Sequence, residues 1–337
     1  MTVLELTTNR QNPGIDPLLD AWGWEIALYL FLGGLVAGSL ILGGARVLKS
    51  PRRQEGESYP WGPLLGVALL SLGMGSLFLD LGHKLFVWRL YLTFQPTSPM
   101  SWGAWILLLV YPAMLAAALL HPPERVPFGN AALARVRAWS EWIHARPRLV
   151  QGIGVANLAG GAALGVYTGV LLGSLGARPL WNSAILGPLF LMSGMSTAAA
   201  ALHLLSMIGA NAKEDSFGDL LLSGLVRLLN KDVGKSAMVR YDQSFMTIEL
   251  GMLGLWMIGL LTSSTAHRAA ATMLLAGAWA PQFWSLVVLS GLVAPLVLQH
   301  FEFIGRIRHT VIPPLLVLFG GFCLRWIVVG AGQGSHW

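Results

Sequence analysis

Eight stretches of this sequence are each apolar for long enough to cross a bilayer, and no other feature limits the fold so sharply. They lie near residues 24–47, 61–82, 101–120, 150–173, 182–210, 243–265, 274–299 and 310–330. A helix of about 20 residues covers the ~30 Å of hydrocarbon in a bilayer. The runs are continuously apolar rather than alternating, and unpaired backbone in lipid is prohibitively costly, so strands are excluded as the main element. The expected fold is an all-α membrane protein of eight transmembrane helices, divided into two four-helix bundles with both termini periplasmic. Along the chain this gives an N-terminal segment (1–23), helices one to three (24–120), a basic cytoplasmic loop (121–149) and helices four and five (150–210). A cytoplasmic amphipathic loop (211–242), helices six to eight (243–330) and a tail (331–337) complete it.

Composition agrees. Of 337 residues, 55% are hydrophobic and only 11% charged, with a mean hydropathy of +0.62, where soluble domains carry about 25% charged residues. The net charge of +6 is therefore read as basic loops on one side of a bilayer and not as a nucleic-acid surface. The single cysteine, Cys323, lies in an apolar run, so this sequence alone offers no disulfide framework and no cysteine-held iron–sulfur or other metal site. The first 21 residues are polar and carry Asp16 and Asp20, unlike a secretory signal, so the first hydrophobic helix is expected to be retained.

Orientation follows from the basic residues. Sixteen lie in the loops joining helices one and two, three and four, five and six, and seven and eight. Six lie on the other side: Arg10, Lys84, Arg89, Arg178, Arg268 and Arg325. The positive-inside rule then places the 83–100 connector and the 174–181 turn on the outer, periplasmic-type face. Trp22, Trp24, Trp61, Trp102, Trp105 and Trp181 mark the rims as interfacial anchors. In the inner loop 217–231, Leu221, Leu225, Leu228 and Leu229 recur at helical spacing, which predicts a helix lying flat on the membrane surface.

With that topology, polar groups from four helices converge at the outer level. Glu25 and Tyr29 fall in the first turns of helix one, and Asp80 and His83 in the last turn of helix two. Ser101 and Trp102 open helix three, Tyr167 and Thr168 close helix four, and Asn157 sits deeper. Carboxyl groups just inside an apolar zone are expensive and mark functional sites by default. A quinone fits this set: its carbonyl oxygens need hydrogen-bond donors, its ring needs apolar walls, and its reduction needs two protons from titratable groups. Asp80 could instead pair with Lys84 or Arg89, four and nine residues on, while His83 turns to water.

Other features have simpler readings. Gly34 and Gly38, in FLGGLVAGS, have the small-xxx-small spacing of a close helix crossing, and SGMSTAAAA (193–201) reads likewise. Deeper on the inner side, Asp242, Glu249 and His203 form either a packing-fixing hydrogen-bonded group or a proton-input path. Of the eight histidines only His203 lies well inside a helix, so haem between paired histidines is not expected.

Four segments, WGWEIALYLFLGGLVAGS (22–39), FLDLGHKLFVWRLYLTFQPTSPMSWGAW (78–105), NLAGGAALGVYTGVLL (157–172) and LFLMSGMSTAAAAL (189–202), resemble the NrfD/polysulfide-reductase family of membrane subunits. The resemblance covers about the first 210 residues; residues 211–337 match mainly in helix count and in Glu249. It implies a haem-free eight-helix anchor in a bacterial or archaeal cytoplasmic membrane that binds menaquinone or ubiquinone near the periplasmic rim. It further implies a four-cluster, ferredoxin-like iron–sulfur subunit on that rim, carrying electrons to or from a molybdopterin catalytic subunit. The positions it would assign are Glu25, Tyr29, Asp80, His83, Ser101, Trp102, Asn157, Tyr167 and Thr168. Two other functions compete: a passive anchor without quinone chemistry, and a secondary transporter. The transporter would call for interrupted helices at corresponding places in two halves, and the sequence shows no such pair.

Overall fold

The computed structural model describes residues 22–49, 61–120, 130–209, 237–304, 306 and 310–336. The expected N-terminal segment up to residue 21 and the surface helix at 217–231 lie outside these residues. Among the described residues there is no strand. The helices are α1 (Trp24–Lys49), α2 (Trp61–Asp80), α3 (Arg89–Leu92), α4 (Pro99–Leu120), α5 (Asn130–His144) and α6 (Pro147–Gly173). They continue with α7 (Leu186–Gly209), α8 (Ala237–Leu261), α9 (Thr265–Leu275), α10 (Ala280–Phe303) and α11 (Ile312–Gln333). Eight of them, α1, α2, α4, α6, α7, α8, α10 and α11, contain segments long and apolar enough to cross a membrane.

The sixth and seventh expected runs divide differently. α8 stops at Leu261 and a separate short helix, α9, precedes α10. Ser264 sits in extended conformation at the head of α9, and its Oγ lies 2.7 Å from Nδ1 of buried His267. α8 thus ends short of the expected boundary at residue 265, and the chain restarts as a separate helix.

Two rings of four spans form. In the first, α1 packs on α2, α2 on α4, α4 on α6 and α6 on α1; in the second, α7, α8, α10 and α11 pack in the same cyclic order. α1 joins the rings through α7 and α11, and α6 also packs on α7. The α1–α7 crossing is made by glycines. A side chain added at Gly38 would strike the backbone of Gly194 and the methyl of Ala198, and one at Gly34 would meet the Arg325 guanidinium. The small-residue spacing thus works as a close-packing device.

Two spans carry irregularities at the third place of each ring. Pro112 lies inside α4, which stays helical through it. Phe283–Val293 in α10 is π-helical, and the Ala294 N–H donates to Leu289 O, five residues back, just before Pro295. Neither helix is unwound at these places, so they are not the interrupted spans that a transporter would call for.

Candidate functional site

At one end of the first ring two of the expected carboxyls lie within electrostatic range of one another. Glu25 lies in the first turn of α1 and Asp80 is the last residue of α2, each half-buried and each within reach of the other's charge. The helix ends are tied together by the Ser76 hydroxyl, which donates to Glu25 O at 2.6 Å. One turn deeper, Tyr29 is 2% exposed and lies within electrostatic range of Tyr167 of α6, Tyr91 of α3 and Tyr111 of α4. Gly103 of α4 lets this cluster close, because a side chain there would overlap the Tyr167 ring. The phenols thus come from three spans and the connector between α2 and α4. Outside the spans, burial pushes the Tyr91 phenol above its ordinary pKa, helped by Tyr111. Tyr111 also shares a 3.2 Å hydrogen bond with Ser71 of α2.

The remaining expected residues fall elsewhere. His83 is exposed at the start of the 3₁₀ turn Lys84–Phe86. Buried Ser101 accepts the Gln95 N–H at 2.9 Å and shapes the connector, as does Trp102, whose indole N–H donates to Pro96 O while its ring stays half exposed. The Thr168 hydroxyl donates within its own helix to Gly165 O. Asn157 lies ten residues, or about 15 Å of helix rise, from Tyr167. Its amide donates to Ala113 O and Ile153 O, stitching α6 to α4 beside Pro112. The structure therefore gathers Glu25, Asp80, Tyr29 and Tyr167 and adds Tyr91 and Tyr111, which sequence reasoning missed. Neither stands in the four convergent helix ends, so their tyrosine side chains were the sole available signal.

A second polar group runs through the other ring. Asp242 is buried and accepts the Gln299 amide of α10 at 2.6 Å. Seven residues on, along the same face of α8, buried Glu249 interacts with Asp242, with Ser193 and Ser196 of α7, and with Arg325 of α11. Ser196 Oγ makes no hydrogen bond of normal geometry among the described residues. Arg325 donates to the Ser193 hydroxyl, to Gly321 O and to Phe190 O. It is fully buried, which corrects its assignment to the outer flank. Its long stem does not reach water because Phe190, Ser193 and Gly34 surround the guanidinium. His203 is buried two turns from Ser196 on one face of α7. Among the described residues, Asp242 Oδ1, Gln299 Oε1, Ser196 Oγ and Arg325 Nε have no hydrogen-bond partner.

Known proteins align along nearly the whole sequence. Residues 12–335 match the family described as polysulphide reductase, NrfD, so the likeness continues through the last third, where the motifs had been sparse. A polysulfide reductase chain of Wolinella succinogenes is 31% identical, covering 93% of this sequence and 94% of that protein. An NrfD homolog of Haemophilus influenzae is 28% identical with the same coverage. A selenate reductase subunit of Mesobacillus selenatarsenatis is 26% identical over 92% of this sequence and 73% of its own length. Eight helices among the described residues that are long and apolar enough to cross a membrane, arranged in two rings, and a match running almost end to end give one conclusion: the chain is an integral membrane protein of the NrfD/polysulphide reductase family.

Proposed function

We propose that this chain is the quinone-reactive membrane subunit of a multi-subunit molybdopterin oxidoreductase in a bacterial or archaeal cytoplasmic membrane. An iron–sulfur subunit on the outer face exchanges electrons with it, and the terminal chemistry takes place in a third polypeptide. The observation that carries this reading is the nearness of two half-buried carboxyls, Glu25 and Asp80, with Glu25 one helical turn from Tyr29, whose buried phenol lies within electrostatic range of Tyr167. Menaquinone or ubiquinone supplies two-electron redox chemistry coupled to two protons. Phenol O–H groups suit its carbonyl oxygens, and carboxyls at the rim hold and pass protons between those oxygens and the outer water. The connector 83–100 would support the iron–sulfur partner above, with His83 on the exit route. Ser101, Trp102 and Thr168 shape the walls and connector, and Asn157 fixes the α4–α6 packing.

A Tyr167→Phe substitution removes one donor and leaves the ring that fills the space beside Gly103. Quinol-linked electron flow in the assembled complex should fall at least tenfold, while turnover of the catalytic polypeptide with an artificial donor stays unchanged. Full quinol-linked flow would favour the passive anchor.

Coupling to proton translocation is favoured by a separate observation. Asp242, Glu249, Ser193 and Arg325 form a buried polar series, and its unpartnered atoms are of the kind ordinarily met by water. Gly34, beside Arg325, lies five residues beyond Tyr29 on α1, so the series ends about one and a half turns below the phenols. With His203 two turns inward of Ser196, it forms a route from the inner side toward the quinone. Glu249→Gln should keep turnover within about twofold in uncoupled vesicles and abolish the proton movement that accompanies it, an order-of-magnitude expectation for loss of one relay group. Translocation at the wild-type ratio would remove Glu249 from the route.

A further inference from the structure

α5 carries a surface that the redox chemistry does not use. Residues 130–149 contain four arginines and one acid, Glu141. Ile143 and Ser140 dock this helix onto the bundle: Ile143 clusters with Leu120 at the end of α4 and Val150 at the start of α6, and the Ser140 hydroxyl donates to Leu120 O. Val47, near the end of α1, packs on the same cluster. α5 is thus held where three spans end, at the level of a bilayer surface.

Arg135, Trp139 and Trp142 follow the i, i+4, i+7 spacing and share one stripe. The stripe lies about a quarter turn from the docked face, so it flanks the bundle instead of lying beneath it. Trp139 is 65% exposed and Trp142 54%. Arg146 extends the stripe just past the helix end. Its guanidinium stacks 3.8 Å from the Trp142 ring centre and donates to Trp142 O at 2.8 Å. Two exposed indoles bracketed by arginines are poorly suited to open water, and they match the boundary where acyl chains give way to phosphates.

We propose that this stripe is a binding site for an anionic phospholipid, with Arg135 and Arg146 engaging the headgroup phosphate region and Trp139 and Trp142 lying against the upper acyl chains. Charge complementarity selects this occupant. Guanidinium groups suit phosphate oxygens better than ammonium groups do, and the stripe itself carries no acid. The site does not depend on the quinone reading and is tested without redox turnover.

The full-length protein is placed in phosphatidylcholine nanodiscs containing a small fraction of either dibrominated phosphatidylglycerol or dibrominated phosphatidylcholine. The share of tryptophan fluorescence lost in a Trp139→Phe/Trp142→Phe variant isolates the signal of the stripe. Phosphatidylglycerol should quench that share several-fold more than phosphatidylcholine at equal fraction, as expected for roughly a fivefold preference per arginine near the surface. Arg135→Gln/Arg146→Gln should erase the preference, and Arg135→Lys/Arg146→Lys, which checks that folding is intact, should keep much of it. Equal quenching by both lipids would overturn the proposal in favour of plain interfacial anchoring. Quenching by neither would place the stripe against water or a protein partner and overturn it equally.

Discussion

Replacing Arg325 with leucine should destabilise the protein by about 3–5 kcal/mol, the penalty for leaving one member of a buried charged group without its partner. That is a large part of the ~5–15 kcal/mol that holds a typical domain together. The guanidinium is fully buried, donates to Ser193, Gly321 and Phe190, and lies within the field of Glu249. Removing it strands the carboxyl between α7 and α8. Detergent-solubilised Arg325→Leu should therefore unfold at a markedly lower temperature than wild type, as followed by fluorescence-detected size exclusion. Arg325→Leu/Glu249→Leu should recover most of the loss, because it removes both charges. An Arg325→Leu protein with unchanged thermal stability would show that the two groups are not coupled.

The second large effect is catalytic. In Glu25→Gln/Asp80→Asn both carboxyls are lost, and with them the groups that could pass protons to or from a bound quinone. A positioned acid or base contributes about 10²–10⁴ in rate, so quinol-linked electron flow should fall by at least 10². Each single variant should fall less, since the surviving carboxyl lies within reach of the same place. Electron delivery from an artificial donor to the catalytic polypeptide, measured on the same preparation, separates this loss from failed assembly. A double variant with turnover within a few fold of wild type would leave the carboxyl pair without a role in proton transfer.

The spans were legible because their signal is compositional: about 20 apolar residues can do little else in a bilayer. Where the expectation slipped, local chemistry had won. The region between the sixth and seventh spans holds the separate helix α9, with Ser264 extended at its head and in contact with the His267 ring, followed by a shorter α10. The convergence of Glu25, Asp80, Tyr29 and Tyr167 followed from topology alone, since each falls at the same end of its helix. Tyr91 could not be placed that way, because it belongs to a connector whose folding depends on Ser101 and Trp102 bonding back to Gln95 and Pro96. Arg325 was misplaced for a different reason. It lies eight residues from Gln333 at the end of α11, close enough for a snorkelling side chain to reach the rim. Only the acceptors on α7 reveal that it turns inward.

The widened coil of α10 matters for everything after it. Each π turn holds more residues than an α turn, so the stretch before Pro295 sets the rotation at which the rest of the span leaves. That rotation brings Gln299 to Asp242 and Glu302 to the Thr310 backbone and hydroxyl, while Gly291 lies flush against Gly320. Shortening the coil by a single residue would swing those two side chains by roughly 100°. The irregular stretch is thus the gear that keeps the Gln299–Glu302 end of one helix in step with its neighbours.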